Sequence, residues 1–93
     1  DELPNPTIIG AQAANELLNI KGVKASFILT DYQNQIYVSA RSIDEVNVQI
    51  IMERLGGGGH INAAGCQLDN ISIVEGIGIV KHTLDKMIEE GAI

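Results

Sequence analysis

A run of four glycines followed by a histidine, Gly56 to His60, is the stretch of this sequence best suited to chemistry. Glycine loses more backbone entropy on folding than any other residue, so a small domain keeps such a run only where the chain needs a positive φ or a close approach. Successive glycine N–H groups can line an anion-binding concavity, and the histidine at its edge could bind a phosphate or transfer a proton. A flexible turn beside a surface histidine is the alternative, which the small residues Ala63, Ala64 and Gly65 make less attractive.

Arg41 and Ser42 form the second candidate site, at the end of a predicted strand and just before a predicted helix. A guanidinium group can bind a phosphate through two parallel hydrogen bonds, and a serine hydroxyl can add a third. The plainer alternative is a surface arginine paired with Asp44 or Glu45. Asn47, near the start of the helix, could either reach a ligand or satisfy local backbone groups.

The elements that position these residues follow from the apolar pattern. Alternation predicts strands over 23–31 and 36–41, joined by a short turn into an antiparallel hairpin, and a third strand over 64–68. In the second strand, one face carries Ile36, Val38 and Ala40, and the other carries Tyr37, Ser39 and Arg41.

Helical spacing predicts three helices. The first starts at Asn5-Pro6. The second covers 44–55, and its start fits either a capping box of Ser42 and Glu45 or an N-cap at Asp44. The third runs to about residue 90 after a capping box at Ser72 and Glu75. The predicted order is α-β-β-α-β-α, an α/β (α+β) fold in which helices pack on a small mixed sheet.

Composition limits the classes of function. The 93 residues predict one domain, and a formal net charge of −6 argues against a protein that grips long nucleic acid through many phosphates. The single cysteine, Cys66, excludes an intrachain disulfide and suits a reducing cytoplasm. It is expected to be a small buried or half-buried hydrophobe. His60 and His82 are isolated, so no metal site is predicted. No transmembrane segment or signal peptide is visible, and the start without methionine suggests a fragment of a larger chain.

Gly56 to His60, followed by Asn62-Ala63-Ala64-Gly65 and preceded by Arg41-Ser42, resembles the signature of the DHH-associated domain over roughly residues 7 to 90. That domain is the C-terminal, substrate-binding half of the DHH phosphoesterases. The resemblance implies that Arg41, Ser42 and Asn47 contact substrate, that the N–H groups of Gly57, Gly58 and Gly59 cradle a phosphate, and that His60 stabilises charge at the phosphoryl group. It also implies a separate DHH domain that carries manganese, so this fragment alone should hold no metal and show little or no activity.

Within that family, residues 47–53, the four glycines and Gln67-Leu68 are most similar to the cyclic-di-AMP phosphodiesterases. This resemblance implies a cyclic dinucleotide or short oligonucleotide as ligand, and a cytoplasmic domain without membrane contact in a membrane-anchored parent protein. Three alternatives stay open: a hydrolase of nano-RNA or phosphoadenosine-phosphate, a non-catalytic nucleotide-binding regulatory module, and a purely structural domain. The sequence leaves the oligomeric state open, a homodimer included.

Overall fold

The computed structural model describes residues 6–93, with side chains from residue 8 onward. Three helices and four strands follow one another along these residues. They are α1 (Pro6–Leu17), β1 (Ala25–Tyr32), β2 (Gln35–Ser42), α2 (Val48–Arg54), β3 (Gly58–His60), β4 (Ala63–Asp69) and α3 (Ile73–Glu89).

The four strands form one sheet in the order β1-β2-β4-β3, and every neighbouring pair is antiparallel. The predicted α/β (α+β) class and the predicted hairpin of β1 and β2 are confirmed. Two details differ from the prediction. The sheet is antiparallel rather than mixed, and it has a fourth strand, β3, because the last glycines and His60 pair with β4 instead of forming a loop.

One face of the sheet carries the hydrophobic core, in which α2 and α3 pack over the strands. The alternation in β2 is confirmed, since Ile36, Val38 and Ala40 are all at most 2 % exposed. The buried cluster is completed by Ala64 of β4, by Val48, Ile51 and Met52 of α2, and by Val80 and Met87 of α3. These residues form one contiguous buried cluster beneath the sheet.

The opposite face carries the odd-numbered residues of β2, from Tyr37 to Arg41, and α1 packs there chiefly against β1 and β2. The Ser26 hydroxyl fixes this contact by donating a 2.7 Å hydrogen bond to the Ala14 carbonyl. In residues 8–93, the half of this face that β4 and β3 form is therefore left largely uncovered by α1.

The predicted start of the second helix is wrong. Ser42 is the last residue of β2 and Asp44 has φ 57°, so neither the predicted start at residue 44 nor a capping box of Ser42 and Glu45 is present. The helix begins at Val48, and its N-cap is Asn47. The predicted capping box of the last helix, Ser72 with Glu75, is confirmed. The predicted cap at Asn5 lies outside the described residues.

Candidate functional site

A cleft of about 520 Å³ lies on the half of the sheet that α1 leaves open, above β2 and β4. Its floor consists of small residues, among them Ala63 and Gly65, and Gly56 and Gly57 border it. Polar side chains from Tyr37, Ser39, Arg41 and Gln67 also line it. A shallow floor with polar groups along its length suits a flat or extended small ligand.

Arg41 and His60 lie on one row of this face, on either side of Ala63. Arg41 pairs with Ala63 across β2 and β4, and His60 pairs with the same Ala63 across β3 and β4. Because neighbouring strands are about 4.8 Å apart, the two backbones are separated by roughly 10 Å. Side chains on the same row point to the same side of the sheet, so a cation and an imidazole flank the small floor residue.

The guanidinium group of Arg41 is half-buried and donates a 2.8 Å hydrogen bond to the Ala40 carbonyl. Within residues 8–93 it makes no ion pair, and Glu45 pairs with Lys24 at 3.6 Å instead. Since a guanidinium has five N–H donors, most of its hydrogen-bonding capacity is available for a ligand. The alternative in which Arg41 pairs with Asp44 or Glu45 is therefore not observed among the described side chains.

The glycine run divides between two structural tasks. Gly56 has φ 88°, and the N–H groups of Gly56 and Gly57 donate to the carbonyls of Glu53 and Met52 at 3.1 and 2.9 Å. This is a Schellman cap that ends α2. The predicted nest needs correction at Gly57, because its N–H already caps the helix. Gly58 and Gly59 belong to β3, so the run is a cap followed by an edge strand.

Two of these glycines also allow a close approach between β3 and β4. A Cβ atom on Gly57 would overlap the Gly65 carbonyl oxygen and lie 2.6 Å from Cys66 Cβ. A Cβ atom on Gly59, whose φ is 146°, would lie 2.5 Å from the Ala63 carbonyl oxygen. The sequence predicted that another group lies close to the glycine backbone. At Gly57 and Gly59 that group is the backbone of β4.

Ser42 is buried and has its hydrogen bonds inside the protein. Its hydroxyl donates to the Val46 carbonyl at 2.6 Å and accepts from the Asn62 carboxamide at 2.9 Å. The backbone continues the connection, because the Ser42 N–H donates to the Asn62 carbonyl at 3.0 Å. Ser42 therefore fastens the turn between β3 and β4 to the end of β2, and it does not line the cleft.

Asn47 has a local task as well. Its Oδ1 atom accepts a 3.3 Å hydrogen bond from the Ile50 N–H, which caps α2. Of the two alternatives that the sequence left open, the fold shows the local one, and Asn47 lines a separate cavity with Ile88 and Ile93. Of the predicted site residues, the cleft thus gathers Arg41 and Gly57, with His60 on the Arg41 row. Gly58 and Gly59 form the strand beside it.

Two cleft residues, Tyr37 and Gln67, were not among the predicted site residues. The alternation of β2 already placed Tyr37 on the same face as Arg41, which was the available signal. Gln67 was marked only by the similarity of Gln67-Leu68 to the cyclic-di-AMP group, because its position opposite Tyr37 depends on the pairing of β2 with β4.

Cys66 is half-buried, as expected from the sequence, and burial raises the pKa of its thiol to about 11. A thiol with this pKa is protonated near neutral pH and is a poor nucleophile. The residues that the structure describes contain no group of three or more His, Cys, Asp or Glu side chains that could hold a metal ion. A manganese site therefore does not fit these residues. In the same residues, no helix is long and apolar enough to cross a membrane.

The antiparallel sheet, the glycine cap and the Arg41–His60 row define a small α+β domain with a ligand-sized cleft. The DHHA1 domain family matches residues 5–90, and the chain belongs to this family, the associated domain of the DHH phosphoesterases. The predicted resemblance is confirmed.

Curated relatives and a solved structure agree with this assignment. The chain is 49 % identical to the cyclic-di-AMP phosphodiesterase PdeA of Listeria monocytogenes over 70 residues. These residues cover 74 % of this chain and 11 % of the relative. It is 47 % identical to the cyclic-di-AMP phosphodiesterase GdpP of Bacillus subtilis over 85 residues, which cover 90 % of this chain and 13 % of the relative. The crystal structure of an exopolyphosphatase-related protein from Bacteroides fragilis superposes with a TM-score of 0.72 and 28 % identity, over 80 % of this chain and 22 % of that one. The chain thus spans only about an eighth of the length of these curated relatives.

Proposed function

We propose that this domain is the substrate-binding half of a phosphodiesterase that hydrolyses cyclic-di-AMP or a related short oligonucleotide. The observation that carries the proposal is the row of Arg41 and His60 on either side of Ala63, beside an open cleft. Arg41 would bind a substrate phosphate through its free N–H donors. His60 is exposed at the other end of this row, where its imidazole would stabilise charge on the scissile or a neighbouring phosphoryl group.

The charge distribution supports a small ligand. The domain has a formal net charge of −6, which disfavours an extended single strand that needs a basic track. Arg41 is nevertheless a cation in the cleft without an acidic partner among the described side chains. One cation can serve one or two phosphates, as in a dinucleotide, but it cannot serve a long polymer.

The proposal also includes a partner domain. The residues described here hold no cluster suited to a metal, so we expect the manganese and the attacking water to be supplied by a DHH domain that faces the cleft. We further expect the complete protein to be membrane-anchored with this domain in the cytoplasm. Both curated phosphodiesterase relatives are far longer than this chain, which leaves room for such parts.

An amide NMR titration of this domain with cyclic-di-AMP and with linear di-adenylate tests the proposal. Saturable shifts are expected around Arg41 and residues 57–60, and Arg41→Ala should weaken binding. Arg54→Ala is the matched control, because Arg54 is a surface arginine paired with Glu90, away from the cleft. If neither ligand shifts the spectrum at millimolar concentration, this domain does not bind them by itself and the proposal fails in this form.

Joining the domain to a DHH domain of the family tests the catalytic part. Manganese-dependent hydrolysis that Arg41→Ala lowers, and Arg54→Ala does not, is the expected result. Binding without any hydrolysis in the joined protein would instead indicate a nucleotide-binding regulatory module.

A further inference from the structure

We infer that Tyr37 and Gln67 form a base-binding subsite at the end of the cleft opposite Arg41, with adenine as the base it takes. This inference rests on the proposed function, because it assumes that a nucleotide phosphate lies at Arg41. Tyr37 and Gln67 are direct partners across β2 and β4, on the same face as Arg41. Both line the cleft with it.

Tyr37 is suited to stack against a base. The sequence has only three aromatic residues, and this one lies in the cleft. Its hydroxyl donates a 2.7 Å hydrogen bond to Gln35 Oε1, which holds the ring in one orientation. A fixed aromatic ring loses little entropy when a base stacks on it, and such stacking is tolerant of base identity. Tyr37 therefore provides affinity for a base.

Gln67 can supply the choice of base. Its Nε2 atom donates a 3.0 Å hydrogen bond to Asp69 Oδ1, which orients the carboxamide. Nε2 has a second N–H, and Oε1 remains free to accept. A glutamine that offers one donor and one acceptor side by side matches the N7 and N6 groups of adenine. Opposite partners in a sheet have Cβ atoms about 5 Å apart, so the two side chains leave the same face of the sheet as neighbours.

The charges along the cleft determine the orientation in which a nucleotide would bind. Arg41 is four residues from Tyr37 along β2, or about 13 Å at the usual rise per residue. Asp69 lies at the Tyr37 end, next to Gln67. An anionic phosphate is attracted to Arg41 and repelled by Asp69, whereas a neutral base is not repelled. A free phosphate can contact Arg41 alone, so a ligand that also carries a base gains the further contacts with Tyr37 and Gln67.

The test is an amide NMR titration of this domain with linear di-adenylate and with linear di-uridylate. For di-adenylate, Tyr37→Ala should weaken binding by about fivefold or more, the range expected for one stacked base. Tyr37→Phe keeps the ring and should bind within about twofold of the unchanged protein. Gln67→Leu should lower the preference for di-adenylate over di-uridylate and leave the di-uridylate affinity unchanged.

Two matched controls exist in the chain. Tyr32→Ala removes a surface tyrosine at the end of β1, and Gln49→Leu removes a carboxamide on α2 that donates to Glu53 and does not line the cleft. Neither should change binding. Weaker binding in Arg41→Ala with no effect of Tyr37→Ala and Gln67→Leu would overturn the base subsite and leave the proposed function intact. Absence of binding by the unchanged protein would overturn both.

Discussion

The carboxamide of Asn62 donates a 2.9 Å hydrogen bond to the buried hydroxyl of Ser42, which in turn donates to the Val46 carbonyl. Asn62 lies in the turn between β3 and β4, two residues after His60, and Ser42 directly follows Arg41. The contact therefore connects the two chain segments that carry the cleft's cation and its imidazole. It fixes their separation more firmly than the short edge strand β3 could do alone.

Asn62→Ala is expected to loosen this connection. The variant loses the 2.9 Å hydrogen bond to Ser42 and two longer ones, to the Val46 carbonyl at 3.3 Å and the Asp44 carbonyl at 3.4 Å. Because the Ser42 hydroxyl keeps its Val46 acceptor, the free energy of unfolding should fall by only about 1–2 kcal/mol. Hydrogen exchange at the β3 amides should increase. Urea unfolding and amide exchange measure both effects.

Gln49→Ala is the control for this prediction, because it removes an exposed carboxamide that donates to Glu53 at 3.2 Å. It should change the free energy of unfolding by less than about 0.5 kcal/mol. Equal effects of Asn62→Ala and Gln49→Ala would show that the turn does not depend on Ser42.

Neighbouring glycines in the run should differ sharply in their tolerance of alanine. A Cβ atom at Gly57 would overlap the Gly65 carbonyl and the Cys66 side chain, and most of these atoms belong to the sheet and cannot move easily. Gly57→Ala should therefore cost about 1–3 kcal/mol or more. Gly58 has open space within 4 Å of its Cβ position. Gly58→Ala should cost little, as thermal unfolding of both variants would reveal, and similar losses at both positions would contradict the geometry.

The sequence allowed the α+β class, the hairpin and the core face of β2 to be predicted. Regular alternation is a local signal, and a buried face enforces it. The capping box at Ser72 and Glu75 was equally local, since both partners lie within one helical turn. Among the site residues, Arg41 could be placed on the open face because it shares the alternation of Tyr37 and Ser39.

What the sequence could not show depends on pairing between distant segments. β3 is only three residues long and consists mainly of glycine, which has low strand propensity, so its assignment requires the partner β4. Ser42 could not be assigned for the same reason. Its polar side chain fitted a helix cap and a phosphate-binding residue equally well. Its buried contact with Asn62, 20 residues away, decides its task. Gln67 was missed for this reason too.

His60→Ala should separate a binding role from a structural one. The side chain is exposed, so its removal should change the free energy of unfolding by less than about 0.5 kcal/mol. Under the proposed function, hydrolysis by the protein joined to its DHH domain should fall by about 100-fold or more. His82→Ala, on the exposed surface of α3, is the control and should leave hydrolysis unchanged. If His60→Ala instead lowered the free energy of unfolding enough to account for the lost hydrolysis, His60 would be a structural residue.

The buried thiol of Cys66 predicts a particular dependence of stability on alkaline pH. Burial raises its pKa from 9.0 to about 11, so between these values the unfolded chain releases the proton while the folded chain retains it. The stabilisation is complete below pH 9 and is lost as the pH rises toward 11. The effect is measured as the difference between the unchanged protein and Cys66→Ala in urea unfolding from pH 8 to pH 11, because every other ionisable group is common to both proteins. The variant should lose less stability over this interval, and parallel curves for the two proteins would show that the thiol is as accessible to water in the fold as in the unfolded chain.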